Sequence, residues 1–222
     1  MSTMNRPVQR SAKVEHILDD LRVKIVLGQF PADETLAENM LAESYGVSRG
    51  TIRTALQVLA SEGFVIVKSN GRKEAVAITD SFTEDLYVTR LMLERTAIEI
   101  CMRKECIDSS VLSAAFGDFY KLFSYTGREL YEQRSIINTN FHRSVIIASG
   151  NNSLLNCWDT IEPLFHSLTT FNYISLGETQ SNEEIIEMHK RIMDLLLTRD
   201  PAVYQEIENH ITRASGDTRS NL

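Results

Sequence analysis

The chain has 222 residues, 43% hydrophobic and 24% charged, a balance that excludes global disorder and leaves room for two small domains. No stretch approaches the ~20 apolar residues of a membrane span, and Met1 to Ala12 holds no apolar leader core, so a cytoplasmic protein with no membrane partner is expected. The net charge of −7 argues against nucleic acid only until its distribution is seen: residues 1–78 hold ten Lys/Arg against nine Asp/Glu, and residues 79–222 thirteen against twenty-one.

After a short arm over residues 1–13, Val14, Ile17, Leu18, Leu21 and Ile25 form a helical stripe that ends at Gly28. Thr35 with Glu38 is a capping-box pattern that predicts a second helix through Leu36, Met40 and Leu41 to Tyr45. Gly46 supplies a sharp turn, and Ser48 is placed to cap a third helix whose apolar stripe is Ile52, Ala55, Leu56 and Leu59. Arg49 and Arg53 lie together off that stripe, and a guanidinium pair at a helix start suits phosphate oxygens and guanine edges in a major groove. Glu62-Gly63 ends the helix; residues 64–68 and 74–78 read as strands joined at Asn70-Gly71, the strongest short hairpin signal. Three helices and a hairpin predict a winged helix over residues 14–78, with Arg72 and Lys73 at the wing tip. Many of the ten basic groups of this part sit at its ends and on the third helix: Arg6, Arg10, Lys13, Arg49, Arg53, Lys68, Arg72 and Lys73.

Residues 79–222 read as all helix. Ser81 and Glu84 form another capping-box pattern, and helices are predicted near 82–104, 108–126, 129–148, 153–175, 181–198 and 201–215, with Pro163 inside the fourth. The breaks are Asp108, Gly127, Gly150-Asn151-Asn152, Gly177 and Asp200-Pro201. The expected fold class is mainly α: an N-terminal winged helix-turn-helix with a small β-hairpin, then an antiparallel bundle of about six helices. Cys101, Cys106 and Cys157 have no ligand spacing and are expected to be buried free thiols rather than a disulfide or metal site.

Asn138 and His142, four apart, share one helix face. His189 and His210 stand at nearly equal distances either side of Asp200-Pro201, so an antiparallel helix pair brings them level. Three imidazoles with an amide oxygen form a candidate nitrogen-rich site for zinc or nickel, with room for water or an anion. The alternative is three surface or core histidines; His16 and His166 have no comparable partner. There is no His-Glu-x-x-His pattern and no general-base constellation.

Leu36, Leu41-Ala42, Gly46-Val47-Ser48-Arg49, Arg53, Ala55-Leu56, Leu59 and Glu62-Gly63-Phe64-Val65 together resemble the DNA-binding domain of GntR-type bacterial transcription regulators. Arg90-Leu91-Met92-Leu93-Glu94, Phe141-His142, Gly150-Asn151, Met188-His189 and His210, in that order, resemble the all-helical FCD-type effector domain of the FadR-like branch. The resemblance spans roughly residues 14–214. It implies that Ser48, Arg49, Thr51 and Arg53, with Asn39 on the preceding helix, face operator DNA, and that Gly71, Arg72 and Lys73 on the wing approach the minor groove. It further implies a homodimerising bundle that holds a small carboxylate effector, often beside a divalent metal bound by an Asp, a His four residues on and two further histidines. The corresponding residues here are Asn138, His142, His189 and His210; Arg90 matches an arginine that pairs with the effector carboxylate, and its other reading is an interhelical salt bridge.

Four departures stand out. Asn138 replaces the Asp, Ala32-Asp33 replaces a Pro-Gly, Asn39 replaces an arginine, and Gly50 stands where relatives carry a side chain. The expectation is a dimeric, ligand-responsive repressor of a near-palindromic operator. The alternatives are a metal-dependent enzyme acting on a carboxylate substrate with an appended DNA-binding head, and a regulator for which the metal itself is the signal.

Overall fold

The computed structural model describes residues 12–31, 34–176 and 180–221. The predicted N-terminal arm with Arg6 and Arg10, the Ala32-Asp33 departure and the break at Gly177 lie outside the described residues. The chain packs as two compact units, residues 1–77 and 78–222.

In the first unit, α1 (Ala12–Val26), α2 (Glu38–Tyr45) and α3 (Arg49–Ser61) precede a hairpin of β1 (Val65–Val67) and β2 (Lys73–Ala75). Ile17, Leu18 and Leu21 of α1 and Ile52, Leu56 and Leu59 of α3 are fully buried, so the predicted stripes are the faces that meet. The Arg22 guanidinium grips Glu62 through two hydrogen bonds of 3.0 and 2.7 Å, tying α1 to the C-terminal end of α3. Gly46 takes φ 59° and ψ 44°, the left-handed conformation that ends α2, and a Cβ there would meet nothing within 4 Å. Gly46→Ala therefore tests backbone strain alone: it is expected to cost about 1–2 kcal/mol in urea unfolding.

The Thr35 capping box does not form. Ala37 occupies the cap position of α2 without a side-chain hydrogen bond, while Thr35 bridges to Glu74 beside the hairpin and its hydroxyl accepts from Arg72 Nε at 2.7 Å. The segment before α2 is drawn into extended pairing, which Leu36 N extends by donating to Lys73 O at 2.8 Å. The strands are shorter than predicted, with Val65 opposite Ala75 and Val67 opposite Lys73.

The second unit contains α4 (Asp80–Met102), α5 (Ser110–Gly117), a 3-10 segment (Asp118–Ser124), α6 (Gly127–Ser149), α7 (Asn152–Leu176), α8 (Asn182–Leu197) and α9 (Val203–Asn221). The mainly helical architecture with one antiparallel hairpin matches the expected fold class. α4 starts from Thr79, whose side chain accepts from Phe82 N at 3.2 Å, so the predicted Ser81 cap is displaced by a better one two residues earlier. The helix predicted over 108–126 tightens into the 3-10 segment, which buries Phe119 and Leu122. Ser181 and Glu184 make a complete capping box on α8. Pro163 lies inside α7.

Phe119, Phe141, Val145, Trp158, Ile185, Ile192 and Ile207 belong to one apolar core. Of the three cysteines, all free, only Cys101 is buried; Cys106 and Cys157 are exposed, which corrects the expectation for those two. Among the described residues no helix is long and apolar enough to cross a membrane.

Candidate functional site

The helix-turn-helix presents its polar residues as its caps dictate. The Ser48 hydroxyl accepts from Thr51 N at 3.1 Å and so is occupied in starting α3. Arg49 is exposed and carries no ion pair among the described residues; Gly50 beside it is exposed, and so is Asn39 at the start of α2. Arg53 is exposed but leans on Glu38, with Nε and Nη2 3.0–3.3 Å from its carboxylate. The same carboxylate accepts from Lys73 Nζ at 2.8 Å. These two partners, Arg53 and Lys73, hold the Glu38 pKa down at about 2, so it stays ionised at any physiological pH.

Lys73 is thus turned toward α2 and is not at the wing tip, as its position next to Arg72 had predicted, because Glu38 offers it a carboxylate. Gly71 turns the hairpin with φ 80°, and the exposed groups there are Lys68 and Arg72. Both lie beside the buried Glu74, at 3.0 Å from Lys68 Nζ and 3.7 Å from Arg72 Nη2.

The second unit holds a polar site in its interior. On α6, Arg134, Asn138 and His142 recur every four residues and so share one inward stripe. Tyr87, Arg90 and Glu94, spaced three and then four residues apart, share one stripe on α4, and α8 and α9 add His189 and His210. His142, His189 and His210 each offer a ring nitrogen within 4.8 Å of the others. His142 Nε2 and His210 Nε2 are 3.1 Å apart, close to the ~3.3 Å edge that tetrahedral bonds of about 2.0–2.1 Å require.

The tautomers are fixed from outside the cluster. His142 Nδ1 donates to Glu94 Oε2 at 2.6 Å and His189 Nδ1 to the Ile185 carbonyl at 2.7 Å, which leaves both Nε2 lone pairs facing inward. Asn138 Nδ2 donates to His189 Nε2 at 3.2 Å. The donor set fits a divalent ion: three imidazoles held neutral by burial, two of them with lone pairs oriented from outside, and an amide that can turn its oxygen inward.

Burial pushes the His142 and His210 pKa values well below 6.5, and it carries His189 down to about 4. All three are neutral near pH 7. Because the folded values lie below the unfolded one, the unfolded chain takes up more protons as pH drops beneath 6.5, and stability falls with it. Unfolding free energies from urea titrations in chelator are expected to decline from pH 7 to pH 5, by up to ~1.4 kcal/mol per pH unit for each histidine. A flat profile would contradict this.

Glu94, which the sequence marks only as the end of the Arg90-Leu91-Met92-Leu93-Glu94 motif and gives no site role, is fully buried and uses both oxygens, one on His142 and the other on Arg90 Nε at 2.8 Å. Its signal was the i, i+4 spacing to Arg90, a pattern shared with many solvated helix pairs. Arg90 is buried over the faces of Phe165 and Trp158, 5.4 and 6.0 Å from their centroids. The predicted ligand-site residues Arg90, Asn138, His189 and His210 all line one cavity of about 70 Å³, together with Arg134, Thr169 and Tyr173. His142 sits directly behind them. His166 lies apart from this cluster, with its Nδ1 3.1 Å from the Ser135 hydroxyl.

A winged helix-turn-helix with an exposed arginine on α3, in one chain with a helical unit that buries a donor cluster beside a cavity, defines a ligand-responsive DNA-binding transcription regulator. The chain belongs to the GntR family of bacterial regulatory proteins, in the branch with an FCD domain: residues 13–72 match "Bacterial regulatory proteins, gntR family" and residues 85–213 match "FCD domain". The chain is 25% identical over 187 residues to the gluconate operon transcriptional repressor of Bacillus subtilis (strain 168), covering 83% of this chain and 75% of that protein. It is 23% identical over 194 residues to the HTH-type transcriptional repressor GlaR of Escherichia coli (strain K12), covering 84% and 86%.

A solved structure of a GntR-family transcriptional regulator from Pseudomonas syringae pv. tomato str. DC3000 shares the fold with a TM-score of 0.56 at 22% identity, over 94% of this chain and 85% of that one. A structure of Lar, described as controlling expression of the Listeria monocytogenes agr system, gives a TM-score of 0.71 at 18% identity, over 97% and 99%. The family and these relatives are regulators, not enzymes.

Proposed function

We propose that the protein is a cytoplasmic repressor that binds a near-palindromic operator as a homodimer and is controlled by a small carboxylate effector held in the cavity of the second unit. Arg49, Thr51 and Arg53 would face the major groove, with Asn39 and Ser48 beside them and Gly71 and Arg72 reaching the minor groove or backbone. Lys73 would act through Glu38. The single observation that carries the effector reading is the cavity that joins Arg90 and Asn138 to the histidine cluster.

His142, His189 and His210, with the Asn138 oxygen, would hold zinc or nickel. A bound ion would supply a Lewis-acidic point for an effector oxygen. Replacing a family carboxylate with Asn138 leaves the donor set uncharged, so the metal should be held more weakly than by an Asp-containing site.

Electrophoretic mobility shift with DNA from upstream of its own gene tests the reading. Sequence-preferring binding by a dimer at moderate salt supports it, and equal binding to unrelated duplex would sink it. Titrating zinc into that complex without any organic acid separates a regulator that senses the metal alone.

A further inference from the structure

Arg134 is 3% exposed, and among the described residues its charge meets no carboxylate. Its Nε and Nη2 both donate to the neutral Asn182 Oδ1, at 3.0 and 2.7 Å. Its Nη1 is buried and has no hydrogen-bond acceptor among the described residues. No carboxylate pairs with it among the described residues, whereas Arg90, equally buried, is offset by Glu94. A guanidinium does not shed its proton, so burying one without a counterion is costly unless something else brings the negative charge. The tyrosine face below it, 5.9 Å from the Tyr173 centroid, stabilises the cation only in part.

Arg134 lines the cavity, and among the described residues no Asp or Glu lines it. It lies two turns, about 12 Å along α6, from His142, so a group seated on it leaves the other end of the cavity free. We propose that Arg134 Nη1 anchors one carboxylate of the effector and that the effector is a short dicarboxylate whose second carboxylate faces Arg90, Asn138 and the histidines. The inference deepens the carboxylate-effector reading and rests on it.

Two further observations fix the class. The cavity of about 70 Å³ holds only a few waters, which suits a chain of a few carbons and not a long acyl group. At the far end every candidate metal donor is neutral, so an ion held there keeps its charge and a second carboxylate offsets it. The remaining Arg90 N–H groups face the same carboxylate.

The test is calorimetric titration of the full chain with malonate, succinate, glutarate and adipate, and with butyrate as the monoacid. Wild type, Arg134→Met and Arg134→Lys are compared, each with and without zinc. At least one diacid is expected to bind wild type roughly tenfold or more tighter than butyrate. Arg134→Met should erase that preference and Arg134→Lys keep part of it, while ligand-free Arg134→Met should melt above wild type because a lone buried charge is gone.

A preference that survives in Arg134→Met, with a lower melting temperature, makes Arg134 a structural partner of Asn182 and overturns the inference. Butyrate binding as tightly as every diacid overturns it while leaving the carboxylate reading standing. Binding of no acid overturns both.

Discussion

Glu94→Ala is expected to destabilise the protein by about 3–5 kcal/mol, because it removes one partner of a buried ion pair and leaves the other in place. Arg90, 3% exposed, would keep its charge over two aromatic faces with no carboxylate, and the His142 Nδ1–H would point at a void. Urea unfolding followed by circular dichroism measures the loss. Glu94→Gln keeps the volume and one acceptor but not the charge, so it should fall between wild type and Glu94→Ala. Competition for zinc against a chelator gives the second readout. Without its acceptor the His142 ring loses its fixed tautomer, and affinity should drop roughly 10–100-fold. Zinc affinity unchanged in Glu94→Gln would show that the carboxylate does not orient the ring.

Arg53→Ala should produce the largest loss of operator binding. A bidentate arginine–guanine contact is worth about 1–3 kcal/mol, and the proposed dimer would make it at both half-sites, so the complex should weaken by about 2–6 kcal/mol. Removing Arg53 also leaves Glu38 with Lys73 as its remaining partner, on what would be the DNA-facing side. A Glu38→Gln, Arg53→Ala double variant separates the two effects: whatever affinity returns is the repulsion of the freed carboxylate. Fluorescence anisotropy on operator and scrambled duplexes distinguishes the roles of Arg53. A base contact predicts a loss confined to the operator, whereas a phosphate contact predicts the same loss on both.

The residues that act locally were legible in the sequence. Ser48 caps α3 and Gly46 takes the left-handed turn because each needs only its own segment to do so. The histidines could be aligned because α8 and α9 meet at a short connection at Asp200-Pro201, and equal distances along two antiparallel helices are simple arithmetic. Thr35 misled because a capping box is also four residues that a neighbouring strand can claim, and Arg72 took its hydroxyl.

Glu94 and Arg134 were invisible as site residues for the converse reason. Whether a charge on a helix is solvated, neutralised or stranded depends on what the other helices bring to it: Glu94 meets His142 across 48 positions, and Arg134 meets Asn182 across 48. The same holds for Lys73, whose direction was set by Glu38 on another element.

Glu38 and Glu74 also bear on thermodynamic ion release. Arg49, Arg53, Lys68, Arg72 and Lys73 are five cations, but the two glutamates ride with four of them. Each head of the proposed dimer then meets the polyanion with an effective charge nearer three than five, so the slope of log K against log salt is about −2.7 per head, where counting these five cations alone would give about −4.5. Association would respond less to changes in cellular ionic strength, and a larger share of the binding free energy would have to come from base contacts.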